Sequence, residues 1–119
     1  MSREDLEKKV DLACLAAFYG GLLTEKQRQV LSLHCEEDLS LGEIAQEVGI
    51  SRQAVHDTLA RASARLREME GALGVAGRFR RMESGLENAL AAIKGKEYDR
   101  AEQVLESLLA LDQEDGNGI

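Results

Sequence analysis

Ser51, Arg52, Gln53 and His56 stand at the head of one amphipathic stretch, and their side chains are of the kinds that contact nucleic acid. An arginine guanidinium can bond bidentately to guanine, and a glutamine amide to adenine. A serine hydroxyl at a helix start, beside backbone N–H groups with no partner in the helix, can hold a phosphate. Arg61 and Arg65 follow one turn apart and add positive charge for a phosphate backbone. Asp57 acts the other way, because a carboxylate at the groove repels phosphate. It lies four residues before Arg61, so a local helix ion pair is the simpler use of both.

Catalysis has far less to work with. The chain has two histidines, His34 and His56, and two cysteines, Cys14 and Cys35. His34 and Cys35 are adjacent, so on a helix their side chains diverge by about 100° and share a metal poorly. The cysteines form no CxxC pair and read as small buried apolar side chains in a reducing compartment. We therefore expect no enzyme, no metal and no cofactor.

The elements that must position the Ser51 cluster can be read from caps and spacing. Ser/Thr-x-x-Glu/Gln sequences at Thr24…Gln27, Ser40…Glu43 and Ser84…Glu87 predict helix starts. A first helix over 4–19 carries Leu6, Val10, Ala13, Cys14 and Ala17 as one stripe expected to face the core. A second, over 25–36, turns Val30, Leu31 and His34 inward. A third spans 41–48 and is closed by Gly49 as the left-handed residue. Ser51 then caps a fourth, over 52–69 or beyond, whose stripe is Val55, Leu59, Ala62, Leu66 and Met69. A short helix, a tight glycine turn and a second helix make a helix-turn-helix, with Ala45 small at the crossing. The first turns of the second helix are the part that enters a major groove.

Beyond Met69 the composition changes. Gly71, Gly74 and Gly77 recur every third residue, which predicts a flexible joint or a close helix approach. Helices are expected over 84–94 and 97–111, joined at Gly95. The domain reading is a helix-turn-helix domain over 1–70, a Gly/Arg-containing joint over 71–82, and a C-terminal αα-hairpin with an acidic tail over 83–119. The sequence Gly95…Tyr98…Ala101…Leu105…Leu108–Leu109 has half of a tetratricopeptide pattern. One hairpin cannot build a solenoid, so it is expected to pack on the first domain, the sharper alternative being a docking surface for a partner helix or a dimer mate.

Composition sets the bounds. The 119 residues include no Pro and no Trp, only 2 Tyr and 2 Phe, and a 44% hydrophobic share made mostly of Leu and Ala. Such a chain is all-α, with a core of its own. The net charge of -7 argues against coating nucleic acid by bulk electrostatics. The charge is uneven, however. Residues 40–82 carry seven basic and five acidic side chains, whereas 83–119 carry three and nine. Acidity therefore belongs to the flanks, and DNA binding stays open at the helix-turn-helix. With no apolar run of about 18–20 residues and no leader-like start, membrane insertion is not expected, and the protein is read as cytoplasmic.

Residues 18–70, above all the stretch from "FYGGLLTEKQRQVLSLHCEEDLS" through "LGEIAQEVGISRQAVHDTLARA", resemble the YlxM family of small bacterial helix-turn-helix proteins. The shared features are F-Y followed by L-L-T-x-K-Q-R, an acidic residue before S-L-G-E-I-A, and G-I-S-R-Q-A-V. More distantly the segment is similar to region four of bacterial sigma factors. The resemblance implies a sigma-region-four-like helix-turn-helix bundle followed by a helical hairpin. It also implies a regulator of the signal recognition particle pathway, with Ffh and FtsY as protein partners and double-stranded DNA or particle RNA as nucleic-acid partners. By the sigma-factor likeness Arg52, Gln53, His56 and Asp57 fall on base-reading positions, though His56 and Asp57 depart from that pattern. The alternative is a sequence-specific transcriptional regulator. A homodimer is plausible, because helix-turn-helix proteins commonly pair across two half-sites.

Overall fold

The computed structural model describes the backbone of residues 2–117 and the side chains of residues 2–111. Its helices are α1 (Arg3–Tyr19), α2 (Glu25–Cys35), α3 (Leu41–Val48), α4 (Arg52–Leu73), α5 (Val75–Lys94) and α6 (Tyr98–Asn117), with a 3-10 turn at Gly20–Leu22. No strand occurs among the described residues, so the fold is all-α. The chain forms two compact units, Met1–Ala76 and Gly77–Ile119.

In the first unit α4 is the spine. Its stripe does what the spacing predicts: Val55, Ala62, Leu66 and Met69 are buried and Leu59 is half-buried. Two apolar clusters meet along it. One joins Leu15 and Tyr19 of α1 to Leu31, Ala62, Leu66 and Met69. The other joins Val30 of α2 and Ile44 and Ala45 of α3 to Val55. Leu59 packs against both clusters and so ties the helix-turn-helix to the rest of the unit.

The face of α1 differs from expectation. Leu6 and Val10 are 55% and 60% exposed, and Ala13 and Ala17 are exposed too. The inner face is Leu12, Leu15, Ala16 and Tyr19, an equally good i, i+3, i+4, i+7 row. The helix has two apolar faces. The larger side chains go inside, and they include Tyr19, whose hydroxyl finds partners there.

The acidic break after α2 is held by a distant cation. Asp38 adopts φ 54°, a left-handed conformation that Asp tolerates better than most residues. Lys9 of α1 donates to its carboxylate, and that bond holds the Asp38 carboxyl below the usual carboxylate range. His34 lies beside this pair, and its Nδ1 is sealed from water with no hydrogen-bond partner among the described residues. Burial, and then the Lys9 charge, push the His34 imidazole below its ordinary 6.5, while Asp38 opposes them. A depressed pKa means that the folded state binds fewer protons than the unfolded state. The contribution of His34 is thus full above about pH 6.5 and is lost as pH falls through the lowered value. The melting temperature is expected to fall as pH drops from about 7.5 to 5, and His34→Gln to flatten that slope. An unchanged slope in the variant would reject His34 as its source.

The stretch read as a joint is helical on both sides of a single residue. Gly74, at φ 63°, closes α4 in the left-handed conformation, and α5 begins at Val75. Ser84 is therefore not a helix start, because the backbone around it is already inside α5 and offers no unpaired N–H groups. In the second unit, α5 and α6 form a hairpin. The left-handed residue of its turn is Lys96, at φ 62°, and not Gly95. Glu97 N–H returns to the Ala92 carbonyl at 2.8 Å. The two helices approach through small residues: Ala89, Ala92 and Ala101 are buried, and a Cβ at Gly85 would run into the end of Leu108.

Candidate nucleic-acid interface

The helix-turn-helix is built from local bonds. Ser40 Oγ accepts from Glu43 N–H at 3.1 Å, and Glu43 Oε1 accepts from Ser40 N–H at 3.0 Å, so α3 starts in a complete capping box. The bond from Ser40 N–H, and then the Ser40 side chain beside it, hold the Glu43 carboxyl below its ordinary value. At the other end Gly49 sits at φ 78°, where a side chain would be strained. Ile50 N–H then reaches back to the Ala45 carbonyl at 3.1 Å and tucks its side chain against the Val30–Ile44–Val55 cluster. Ser51 Oγ accepts from Ala54 N–H at 3.0 Å and starts α4. Gly49, Ile50 and Ser51 thus fix the angle at which the head of α4 leaves the bundle.

All six candidate residues lie on the exposed surface of α4 or its cap. The structure brings Ser51, Arg52, Gln53 and His56 together over its first turns and places Arg61 and Arg65 further along. Their local bonding was not foreseeable from spacing alone. Arg52 lies back over the start of α3, where Gly42 leaves room: a Cβ there would be 3.8 Å from Arg52 Nε. The two helix starts bound an open groove of about 560 Å³ lined by Ser40, Gly42, Glu43, Gln46 and Arg52. Gln46 was not singled out in the sequence, because a lone polar residue on a short helix carries no signal of what it faces.

Asp57 does not take Arg61. Its carboxylate accepts from Gln53 Nε2 at 3.0 Å and lies 3.6 Å from His56 Nδ1. Both Gln53 and Arg61 stand four residues from Asp57, and the amide on the N-terminal side wins. Arg65 pairs with Glu68 at 3.2 Å, an exposed contact that a phosphate could displace at small cost. The head of α4 is therefore a polar surface with a cation, an amide, an imidazole and a carboxylate. It is not a uniformly basic one.

No helix of the described residues is long and apolar enough to cross a membrane. The sequence matches, over residues 6–108, the family described as "Putative helix-turn-helix protein, YlxM / p13 like". A UPF0122 protein of Desulforamulus reducens is 43% identical over 89 residues, covering 75% of this chain and 76% of the relative. A UPF0122 protein of Bacillus thuringiensis is 39% identical over 109 residues, covering 90% of this chain and 99% of the relative. The matched span takes in all of α2, α3, α4 and α5, and with them the whole capped corner, so the chain belongs to the YlxM/p13-like helix-turn-helix family.

Proposed function

We propose that the protein is a non-catalytic helix-turn-helix regulator of the signal recognition particle pathway, acting by binding Ffh, FtsY or the particle RNA. The observation that carries this reading is the Gln53–Asp57 bond at the head of α4. Bidentate reading of adenine needs an amide N–H and the amide oxygen of glutamine turned to one base edge, and here one of the two Gln53 Nε2 hydrogens is held by the Asp57 carboxylate, which fixes the amide along the helix. That carboxylate also repels a duplex backbone. The same surface suits a protein partner, or an RNA whose bases are splayed out and contacted singly. The pathway itself rests on the resemblance to the YlxM family.

The test is to mix the protein with Ffh and FtsY, with and without particle RNA, and to follow GTP hydrolysis and co-elution. A changed rate together with co-elution is the expected result. RNase sensitivity then separates the RNA partner from the protein partners. No change in rate and no co-elution would reject the reading.

One observation favours the alternative of a sequence-specific DNA regulator: Arg52, Gln53 and His56 are exposed on the part of α4 that would enter a major groove. On the primary reading, double-stranded DNA binds weakly and with steep salt dependence. A specific complex at roughly 10⁻⁸ M or tighter at physiological salt, lost on Arg52→Ala, would establish the DNA regulator instead.

A further inference from the structure

The second unit is inside out for a hairpin that stands alone. What α5 and α6 bury between them is mostly alanine and glycine, whereas the large apolar side chains lie outside. Leu86, Leu90 and Ile93 of α5 are 50%, 52% and 46% exposed, and Tyr98, Leu105 and Leu109 of α6 are 62%, 39% and 67% exposed.

These six residues share one face. On α5 the spacing of 86, 90 and 93 makes a single stripe, about a quarter turn from the row of Gly85, Ala89 and Ala92 that meets α6. On α6 residues 98, 105 and 109 make a stripe about a quarter turn from the row containing Ala101 and Leu108. The helices are antiparallel, so their residue order runs round the two axes in opposite senses. Both stripes therefore open on the same side of the hairpin. A groove of about 300 Å³, lined by Phe79, Met82, Leu86 and Leu90 with Glu83 and Glu87 at its edge, continues that side along α5.

We infer that this face is the interface between two copies of the chain, which pair hairpin to hairpin as a four-helix bundle. The area fits. Six side chains at about half exposure leave roughly 80 Å² each, or about 500 Å² per copy, a patch of the size that marks an interaction site on a soluble protein. Two copies contribute about 1,000 Å² from these residues alone. The neighbouring groove and rim bring the total into the ~1,200–2,000 Å² of a specific interface. A four-helix bundle is also the arrangement in which two-helix units with one apolar face each complete a core. The rim argues against a lipid occupant, since Glu83, Glu87, Glu102 and Glu106 flank the stripes and repel anionic headgroups. Pairing here does not depend on which target the head of α4 takes.

Sedimentation equilibrium of the full chain is the test. The wild type is expected at twice the 13.0 kDa chain mass, with a melting temperature that rises with protein concentration. The double variant Leu86→Glu, Leu90→Glu is expected to sediment as a monomer. Val10→Glu, on the exposed face of α1, is expected to remain a dimer. The near-ultraviolet signal of buried Tyr19 reports that the first unit stays folded in each variant. The milder Leu90→Ala is expected to weaken pairing at least tenfold, which keeps the test decisive if the double variant misfolds. A wild type that is monomeric at all concentrations, whatever else it captures, would overturn the inference. So would a double variant that stays dimeric, a Leu90→Ala that pairs as tightly as the wild type, or loss of pairing on Val10→Glu.

Discussion

Ile44→Ala is expected to destabilise the first unit by about 2–5 kcal/mol and to abolish any binding through α4. Ile44 is wholly buried between Val30 of α2 and Val55 of α4. Truncation removes three carbons from a site whose neighbours are themselves branched and held in fixed rotamers, so the cavity closes only in part. The helix that carries Ile44 is the eight-residue α3, too short to persist without tertiary contacts. Its loss frees Gly49–Ser51 and with them the angle of α4. For a unit of this size the melting temperature falls by about 4–8 °C per kcal/mol, so a drop of roughly 8–40 °C is expected in a thermal melt. Ile44→Val, which removes one carbon, is expected to cost only about 0.5–1.5 kcal/mol. Equal melting temperatures for the two variants would show that Ile44 is not the centre of this cluster.

The same residue shows why the helix-turn-helix is legible in the sequence. Its determinants are short-range: the capping box of Ser40 and Glu43, the left-handed Gly49, the cap at Ser51, and apolar residues at helical spacing on both sides. Each of these would fold the same way in many contexts. The start of α5 is hidden for the opposite reason. No Ser, Thr, Asp or Asn precedes Val75, and its N–H partner is the hydroxyl of Tyr19, 56 residues away. The local signal at Ser84 thus points to a start that the chain never uses. The face of α1 is ambiguous because two apolar rows satisfy the same periodicity, and only the partners inside the fold choose between them. In the candidate interface the exposure of Arg52, Gln53 and His56 follows from the stripe of α4. The pairing of Asp57 does not, since Gln53 and Arg61 are equivalent neighbours by spacing.

Tyr19→Phe tests that long-range cap directly. The hydroxyl of Tyr19, which is only 3% exposed, donates to Glu70 Oε1 at 2.5 Å and accepts from Val75 N–H at 3.0 Å. The same Glu70 oxygen accepts from Ala76 N–H at 3.1 Å. One phenol and one carboxylate thus meet the N–H groups of Val75 and Ala76, the last residues of the first unit, and tie them to α1 and α4 within it. Burial, and then the Glu70 carboxylate, push the Tyr19 hydroxyl above its ordinary 10.0, so it is a donor at every physiological pH. Phenylalanine fills the same space but leaves Val75 N–H without its acceptor and takes one donor from a charged group. Bonds to charged groups contribute about 1.5–3 kcal/mol, and the Val75 N–H, only part-buried, regains most of its loss from water, so a net loss of about 2–3 kcal/mol is expected. Glu70→Gln keeps an acceptor for the hydroxyl and is expected to cost less. Because both residues serve one network, the double variant should cost less than the two single costs added together. Strict additivity in denaturant unfolding would show that the Tyr19 hydroxyl acts independently of Glu70, and a Tyr19→Phe variant as stable as the wild type would show that Tyr19 stabilises the unit through its ring alone.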